Sequence, residues 1–330
     1  MRDFEQDVLR AAYAGEPLKA SEFSWSCSRY RLFRFCRRAY FIRYYLAQGG
    51  WDIHAHPLCR SAYLEKHLPS LDQWIANTFD QALRAALTDL PVQASPEKRK
   101  DLLQSSLLKK LQAYAGALYR SLESRAYLED PKLPGFREHY YGDAGFQDPD
   151  RVCTQIIKRF AEAWAVFLSS DFMRSAGVLG YPDYRLNHRF LCLPWRGYSV
   201  WLHGGIIRFE GDNAIMLNIV PETESVEKRF FMGLEMGIFE RIVKYQWVNR
   251  VPSLEKFFIG KDSAAFLFTP ESLPVADVID TSAEAMLMLV DADGMVRMED
   301  FPECDDDDAE KCAVCRFRKT CAALKNADAV

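Results

Sequence analysis

The sequence predicts one α/β domain of the α+β type, with a large helical insertion. In the first half of the chain, apolar residues recur at helical spacing; in the second half the spacing changes to the alternation of strands. The 330 residues show no internal repeat and no low-complexity linker that would separate two domains. Helices followed by strands in this order are typical of an α+β domain.

The first predicted helix, residues 28–46, is rich in aromatic residues and arginine. Ser28 or Ser26 would serve as its N-cap, and Gly49 and Gly50 would end it. The other helices predicted in the first half are residues 71–87, 96–129 and 151–170, the last two separated by a Pro- and Gly-rich loop.

The second half of the chain reads mainly as strands joined by tight turns. The segments PWRG and EGDN separate the first three strands and are good turn signals. The predicted elements are strands at 184–193, 198–210, 214–220 and 257–268 and helices at 230–248 and 284–290.

The composition is that of a soluble globular protein, with 49% hydrophobic and 27% charged residues. No apolar run is long enough to span a membrane, and the N-terminus lacks the apolar core of a secretory signal. We therefore expect a cytoplasmic protein without membrane association. Because thiols are reduced in the cytosol, the nine cysteines suggest a metal site or catalysis rather than disulfides.

The net charge of −4 argues against a nucleic-acid binder driven by overall charge. Charge is unevenly spread, however, and a local basic patch can still hold phosphates. Arg34, Arg37 and Arg38 follow one another at i, i+3 and i+4, so a continuous helix would place them on one face. We expect this face either to contact DNA phosphates or to be a solvated surface beside the cysteines.

The strongest chemical signal is the motif Cys312-x2-Cys315-x5-Cys321 near the C-terminus. Two thiolates three residues apart can reach one metal centre from a single turn, and the third returns from the next turn. Tetrahedral zinc and a cubane cluster both take four ligands. Cys36 is the natural candidate for the fourth, although alone it would read as a small buried residue, and Cys304 is the alternative. The cysteines read as ordinary thiols are Cys27, Cys59, Cys153 and Cys192.

A family resemblance rests on the N-terminal segment and this motif together. Ser28, Cys36, Arg37, Arg38 and Tyr40, paired with a distant C-x2-C-x5-C, resemble the iron–sulfur PD-(D/E)XK nucleases. That superfamily includes the RecB-like exonucleases, the AddB subunit of bacterial break repair and the CRISPR-adaptation exonucleases. The segments YYLAQGGWD and REHYYGD, and the spacing of the C-terminal motif, are similar to an uncharacterised RecB-like bacterial group.

The resemblance implies a restriction-endonuclease-like core sheet flanked by helices. It also implies a 4Fe–4S cluster on Cys36, Cys312, Cys315 and Cys321 that clasps the N- and C-terminal parts together. Closing so long a loop through a metal is expected to contribute folding energy. Zinc is the alternative, because thiolate spacing alone does not separate the two metals. On this basis the single domain, residues 1–330, divides into an iron–sulfur helix (24–60), a helical region (61–175), a nuclease core (176–290) and a cysteine motif (298–325).

The catalytic residues of this family are not found at the matching positions. Two-metal phosphodiester hydrolysis needs acidic residues to hold Mg²⁺ and a Lys to orient water. In the family these come from a His on an early helix, an Asp on a strand, an Asp or Glu and a Lys on the next strand, and a Gln on a following helix. The residues that stand there in this chain are, in order, Asp80, Gly205, Asn218, Val220 and Glu235. We therefore expect no catalytic Mg²⁺ and no nuclease activity.

The resulting functional hypothesis is a catalytically inactive RecB-like homologue that binds DNA, or a helicase or nuclease partner, in DNA repair, recombination or defence. One alternative is an active metal-dependent nuclease with a rearranged site. The other is a purely structural adaptor for a helicase or nuclease. Acidic residues that could form a rearranged site are Glu210, Asp212, Glu222, Glu224 and Glu235. His203 could join them as a ligand, although a lone strand histidine is more often structural.

Overall fold

The computed structural model describes residues 17–91, 94–170, 184–185, 190–221, 226–259, 264–268, 273–304 and 309–327. Its helices are α1 (Cys27–Phe35), α2 (Arg37–Phe41), α3 (Pro57–His67), α4 (Leu71–Thr88), α5 (Pro96–Ser124), α6 (Arg137–Tyr141), α7 (Pro149–Leu168), α8 (Val226–Gln246), α9 (Val275–Leu287), α10 (Ala309–Val314) and α11 (Arg318–Ala327). Its strands are β1 (Leu18–Lys19), β2 (Ser24–Ser26), β3 (Tyr184–Arg185), β4 (Phe190–Trp195), β5 (Tyr198–His203), β6 (Ile206–Glu210), β7 (Asn213–Pro221), β8 (Val251–Ile259), β9 (Ala264–Phe268) and β10 (Met295–Val296). The α+β class is confirmed.

The prediction of one continuous helix over residues 28–46 is wrong. Ser26 caps α1 by accepting a hydrogen bond from Arg29 N–H at 3.1 Å. At Cys36 the backbone becomes extended, with φ −164° and ψ 124°, and this residue then caps α2. A π-helical turn, Ile42–Leu46, follows α2 directly. The helix breaks because one residue serves as the C-cap of α1 and the N-cap of α2.

The helical region largely follows the sequence pattern. Helix α4 carries a capping box, in which Ser70 and Gln73 each accept a hydrogen bond from the other's backbone N–H. Helix α5 ends sooner than predicted, because Arg125 adopts a left-handed conformation with φ 54°. Helices α4 and α7 keep close to their predicted bounds.

A five-stranded sheet, in the order β3-β6-β7-β8-β9, forms the centre of the second half. Strands β6 and β7 pair as an antiparallel hairpin, whereas β7 and β8 are parallel and are joined through α8. Parallel neighbours need such a crossover connection. A second sheet has the order β2-β5-β4, and β1 pairs with β10.

The predicted strand over residues 198–210 is also wrong, because it is two strands in different sheets. Strand β5 belongs to the three-stranded sheet and β6 to the five-stranded sheet. The chain crosses between them at Gly204 and Gly205, which lie outside both strands. A close backbone approach at Gly205, described below, accounts for the interruption.

Two hydrophobic cores lie on opposite faces of the five-stranded sheet. Alternate residues of β7 point in opposite directions, Met216 into the first core and Leu217 into the second. The first core includes α8, the N-terminal helices and the C-terminal segment. The second includes α4, α5 and α7. By the same alternation Asn218 is on the first face of the sheet.

Candidate metal centre and a buried charge network

Cys36 lies at the junction of α1 and α2, where it faces the C-terminal segment. Its Sγ accepts a hydrogen bond from Ala39 N–H at 3.4 Å, and its own N–H bonds to Leu32 O at 3.0 Å. The N–H of Arg38, in the first turn of α2, is donated to Pro302 O at 3.1 Å. The broken helix therefore holds the thiol and a backbone donor against residues that immediately precede the C-terminal cysteines.

The three cysteines of the C-terminal motif are held by local hydrogen bonds around Phe317. Cys315 N–H bonds to Cys312 O at 3.2 Å, and Cys315 Sγ accepts from Phe317 N–H at 3.4 Å. Cys321 N–H bonds to Phe317 O at 2.8 Å. Because Phe317 is fully buried, it anchors this turn in the first core.

The structure brings Cys36 together with the C-terminal motif. Cys304 Sγ hydrogen-bonds with the thiols of both Cys36 and Cys312, and the charge of Cys36 acts on Cys315 and Cys321. Five thiols therefore share one neighbourhood, and Cys304 is the member that sequence reasoning kept only as an alternative. As they stand, no three His, Cys, Asp or Glu side chains among the described residues are arranged to hold a metal ion.

Burial raises the pKa of three of these thiols. The pKa of Cys304 and that of Cys315 rise to about 12, and that of Cys321 rises to about 11. The adjacent Cys36 adds to the effect on each of the three. Without a metal these three thiols are protonated at neutral pH, so metal binding to them would release protons.

Arg38 provides a test of whether an anionic centre fits among the thiols. The side chain is only 8% exposed, its Nε donates to Phe301 O at 2.8 Å, and its Nη1 is buried without a hydrogen-bond partner. A buried cation without a countercharge is costly. A metal bound by four thiolates would carry net negative charge, whether it is zinc or an iron–sulfur cluster. The thiols and this cation therefore fit such a centre.

A second connection between the N-terminal and C-terminal parts of the chain, from α3 to α11, needs no metal. Glu65 on α3 is buried, and its carboxylate accepts hydrogen bonds from the N–H groups of Lys319 at 3.1 Å and Thr320 at 3.3 Å. These donors belong to the first turn of α11, where backbone N–H groups have no helical partner. Tyr141 Oη lies 2.6 Å from the same carboxylate and 2.6 Å from Arg316 O. Sequence reasoning missed Glu65, since a lone acidic residue in a helix has no distinguishing pattern.

The REHYYGD segment packs against α11. Asp143 forms an ion pair with Arg318 at 2.7 Å, and the Arg318 guanidinium lies 3.8 Å from the centre of the Tyr141 ring. Lys319 Nζ donates to Tyr140 O at 3.1 Å. The sequence marks this segment only by its family resemblance, whereas the structure gives it a physical role in holding the cysteine motif.

Asp80 is one of the positions at which the sequence suggested a lost catalytic residue. It pairs with Arg84, one turn later on α4, at 2.8 Å, while its Oδ1 is buried without a hydrogen-bond partner. The guanidinium of Arg84 also donates to Gly204 O at 2.9 Å and Gly205 O at 3.2 Å. This arginine thus joins Asp80 to the start of β6.

Asn218 and Glu235, two further such positions, meet through a lysine that sequence reasoning missed. Asn218 on β7 lies opposite Lys256 on the parallel strand β8. The Lys256 side chain is 4% exposed and forms an ion pair with Glu235 on α8. Asn218 Oδ1 is buried without a hydrogen-bond partner. A charged residue inside the apolar strand VPSLEKFFI was the available signal for Lys256.

Gly205 connects the two ion pairs. A Cβ at this position would come within 1.9 Å of Leu217 O and 2.3 Å of Asn218 Oδ1. Both ion pairs also influence His203, which is exposed at the end of β5. Desolvation by the surrounding protein lowers the pKa of this imidazole. The carboxylates of the two pairs raise it and their cations lower it, each by less than desolvation does.

The charges of this network cancel. Asp80 is neutralised by Arg84, and Glu235 by Lys256, so the four side chains have no net formal charge. Val220, two residues beyond Asn218, lies opposite Phe258 and adds no charge.

The acidic residues proposed for a rearranged site do not gather here in the described part of the chain. Glu210 pairs with Arg208 at 3.2 Å. Asp212 precedes β7 and accepts a backbone hydrogen bond from Val251 through its carbonyl at 2.7 Å. Glu222 and Glu224 lie outside the described residues.

The three arginines predicted to contact DNA do not share one helical face. Arg38 is buried, whereas Arg34 and Arg37 are exposed, as is Arg31. Each exposed guanidinium rests on an aromatic ring: Arg31 on Phe231 at 4.5 Å, Arg34 on Phe230 at 5.6 Å and Arg37 on Phe33 at 4.8 Å. We call Arg31, Arg34 and Arg37 the arginine patch. Two of its members, Arg34 and Arg37, line a cleft of about 540 Å³ that also contains Cys36 and Cys304.

Within the described residues, no helix has the length and apolar character needed to cross a membrane. Comparison of the chain with family models, with curated proteins and with solved structures finds no match.

Proposed function

We propose that this chain is an iron–sulfur protein with a RecB-like PD-(D/E)XK fold whose catalytic site has become a set of internal ion pairs. It acts as a DNA-binding or partner-binding subunit in DNA repair, recombination or defence. The observation that carries this proposal is that Asp80, Gly205, Asn218 and Glu235, which come from separate elements, are linked by one series of neighbouring contacts through Arg84 and Lys256. These positions were chosen from the sequence as matches to catalytic positions of one family, and unrelated positions would not be expected to converge.

The order of the elements supports the same proposal. The family motifs follow one another on a strand, on the next strand and on a helix. Here the corresponding elements are β6, its antiparallel partner β7, and α8, which leads to the parallel strand β8. Helix α4, which carries Asp80, packs against β7.

The charges argue against catalysis. Two divalent cations beside a phosphate need several anionic ligands to offset their mutual repulsion. Asp80 and Glu235 each already have a cation, and the matching strand positions Gly205, Asn218 and Val220 have no charge. We therefore propose that no catalytic Mg²⁺ binds.

For the metal centre we propose a 4Fe–4S cluster on Cys36, Cys312, Cys315 and Cys321, with zinc as the alternative. When bound, it supplies a covalent cross-link between the α1–α2 junction and the C-terminal motif. Protein purified without oxygen should be brown and contain four iron atoms and four sulfides per chain. A colourless protein with one zinc would contradict the iron–sulfur proposal.

Serine replacements assign the ligands. Iron should be lost when any one of the four proposed ligands is replaced, in Cys36→Ser, Cys312→Ser, Cys315→Ser or Cys321→Ser. The variant Cys153→Ser should retain iron, because Cys153 lies on α7, away from the motif. Iron content is the better readout than melting temperature, because Cys59 is fully buried and its replacement by Ser would destabilise the core by itself. Loss of iron in Cys304→Ser but not in Cys312→Ser would exchange those two residues in the ligand set.

A cleavage assay tests the loss of activity. Purified protein with Mg²⁺ or Mn²⁺ should not cut single- or double-stranded DNA, because losing the metal ligands and the lysine removes several kcal/mol of transition-state stabilisation, at about 1.4 kcal/mol per tenfold in rate. Metal-dependent cleavage that disappears in Asp80→Ala or Glu235→Ala would overturn the proposal and favour a rearranged active site.

DNA binding is tested through its salt dependence. Each arginine that neutralises a phosphate of duplex DNA should contribute about 0.9 to the slope of log affinity against log salt. Replacing the whole arginine patch by Ala should therefore flatten the slope. The matched control is a triple variant that removes three exposed cations on α5 and α7. Its substitutions are Lys109→Ala, Arg120→Ala and Arg151→Ala. No affinity at low salt would favour a protein partner instead.

A further inference from the structure

We infer that Arg38 is a positioning residue for the proposed centre, supplying a buried positive charge and a free N–H donor to its sulfur atoms. The inference rests on the proposed thiolate centre. It extends that proposal to a residue that is not a ligand, and it gives the second arginine of the Cys-Arg-Arg segment a role other than DNA contact.

The contacts of Arg38 leave one donor aimed at no acceptor. Its backbone N–H goes to Pro302 O and its Nε to Phe301 O, so the side chain is fixed against the segment that leads to Cys304. Its Nη1 is buried and has no hydrogen-bond partner. Leaving a buried donor of a charged group unsatisfied destabilises the folded protein. Such a cost is offset if a nearby anion accepts the hydrogen bond.

The thiol neighbourhood is the place where that anion would form. Arg38 is two residues after Cys36, and its charge acts on Cys321, opposing the larger effect of burial on that thiol. Thiolates bound to a metal remain acceptors of N–H···S hydrogen bonds, which tune iron–sulfur potentials.

The neighbouring Arg37 provides an internal comparison. It is exposed and its guanidinium lies on the Phe33 ring at 4.8 Å. The two arginines thus have the same charge and adjacent positions, but only Arg38 is buried with a free donor. Replacing each separately distinguishes a specific contact with the centre from a general effect of local positive charge.

A nearby cation and N–H donors stabilise the more negative, reduced state of a cluster and so raise its potential. Arg38→Gln should therefore lower the midpoint potential, by about 59 mV if the one-electron reduction equilibrium falls tenfold. It should also weaken metal binding by roughly 10–100-fold, the usual effect of removing a residue that supports metal ligands.

The experiment compares Arg38→Gln, Arg38→Lys and Arg37→Gln with the wild-type chain, all purified without oxygen. The measurements are the midpoint potential and the rate of metal loss to a chelator. We expect both to change in Arg38→Gln, to be partly restored in the charge-conserving Arg38→Lys, and to stay at wild-type values in Arg37→Gln. A full cluster with unchanged potential and chelation rate in Arg38→Gln would overturn the inference.

Two outcomes separate this inference from the proposal beneath it. If Arg38→Gln does not fold, Arg38→Lys is the variant that tests the inference. A midpoint potential and a chelation rate equal to those of Arg37→Gln and the wild-type chain would overturn it. A shift in either quantity would support it. If the wild-type protein contains zinc instead of iron, the iron–sulfur proposal fails. The chelation rates then still test Arg38, because a zinc–thiolate centre is also anionic.

Discussion

At the scale of single residues, Gly205 shows how closely β6 and β7 approach. Because a Cβ here would overlap Leu217 O and Asn218 Oδ1, even a methyl group requires the backbone to move. We expect Gly205→Ala to lower the free energy of unfolding by at least about 1–3 kcal/mol, the usual cost of overpacking. Urea denaturation of the variant and the wild-type protein measures this change in the free energy of unfolding.

The control for this substitution is Gly116→Ala on α5. The nearest atom to its added methyl group is Arg120 Nη1 at 3.6 Å, an ordinary contact. We expect Gly116→Ala to be neutral or to stabilise by up to about 1 kcal/mol, because alanine favours helix. Equal stability of the two variants would contradict the close approach at Gly205. An aspartate at this position, as in the active nucleases that the sequence resembles, should be less tolerated still.

The ion pair between Lys256 and Glu235 makes a contribution to stability that can be measured. Lys256→Met leaves Glu235 without its cation in a largely buried place, which should cost about 3–5 kcal/mol. Adding Glu235→Leu removes the unpaired charge, so the double variant should recover much of the loss. The free energies of unfolding of the wild-type protein, Lys256→Met, Glu235→Leu and the double variant form a double-mutant cycle.

A comparison pair lies on the same helix. Lys244 and Glu240 form an exposed ion pair at 2.6 Å, and Lys244→Met should cost no more than about 1 kcal/mol. If Lys256→Met and Lys244→Met were equally tolerated, the charge network would not contribute to stability as described.

At the scale of elements, Glu65 links α3 to the start of α11. Glu65→Ala would leave the N–H groups of Lys319 and Thr320 and the hydroxyl of Tyr141 without this acceptor. Leaving buried donors unsatisfied costs about 1–3 kcal/mol each. We expect faster hydrogen exchange at these two amides and a lower melting temperature.

A substitution at the other end of the same interaction serves as control. Lys319→Met removes an exposed side chain but keeps the backbone N–H that Glu65 binds. Its exchange rates should therefore stay close to those of the wild-type chain. Unchanged amide exchange in Glu65→Ala would mean that α11 is held mainly by its other contacts.

At the scale of the whole molecule, removal of the metal should loosen one part and spare another. The proposed centre joins segments that belong to the first core, whereas α4, α5 and α7 pack in the second core. We expect chelation to lower the melting temperature while most helix and sheet content persists, as measured by calorimetry and far-ultraviolet circular dichroism. Identical melting of the metal-bound and metal-free protein would contradict a stabilising centre.

The helical positions were predictable because their signals are local. Amphipathic spacing and caps placed α4 and α7 close to their observed bounds, and turn residues marked the β6–β7 hairpin. The break at Cys36 was not predictable in this way. At the break the N–H of Arg38 is donated to Pro302 O instead of to a helical carbonyl, and that partner is remote in sequence.

The features of the candidate site also fall into those that the sequence predicts and those that need the tertiary structure. The sequence by itself determined the α+β class, the spacing of the cysteines and the absence of charge at Gly205, Asn218 and Val220, because each is a property of residue type or of neighbouring residues. Only the tertiary structure decided that Cys304 lies among the other thiols, that Arg38 is buried, and that Lys256 reaches Glu235. These are contacts between elements distant along the chain, and they depend on how the strands register and which faces of the sheet are covered.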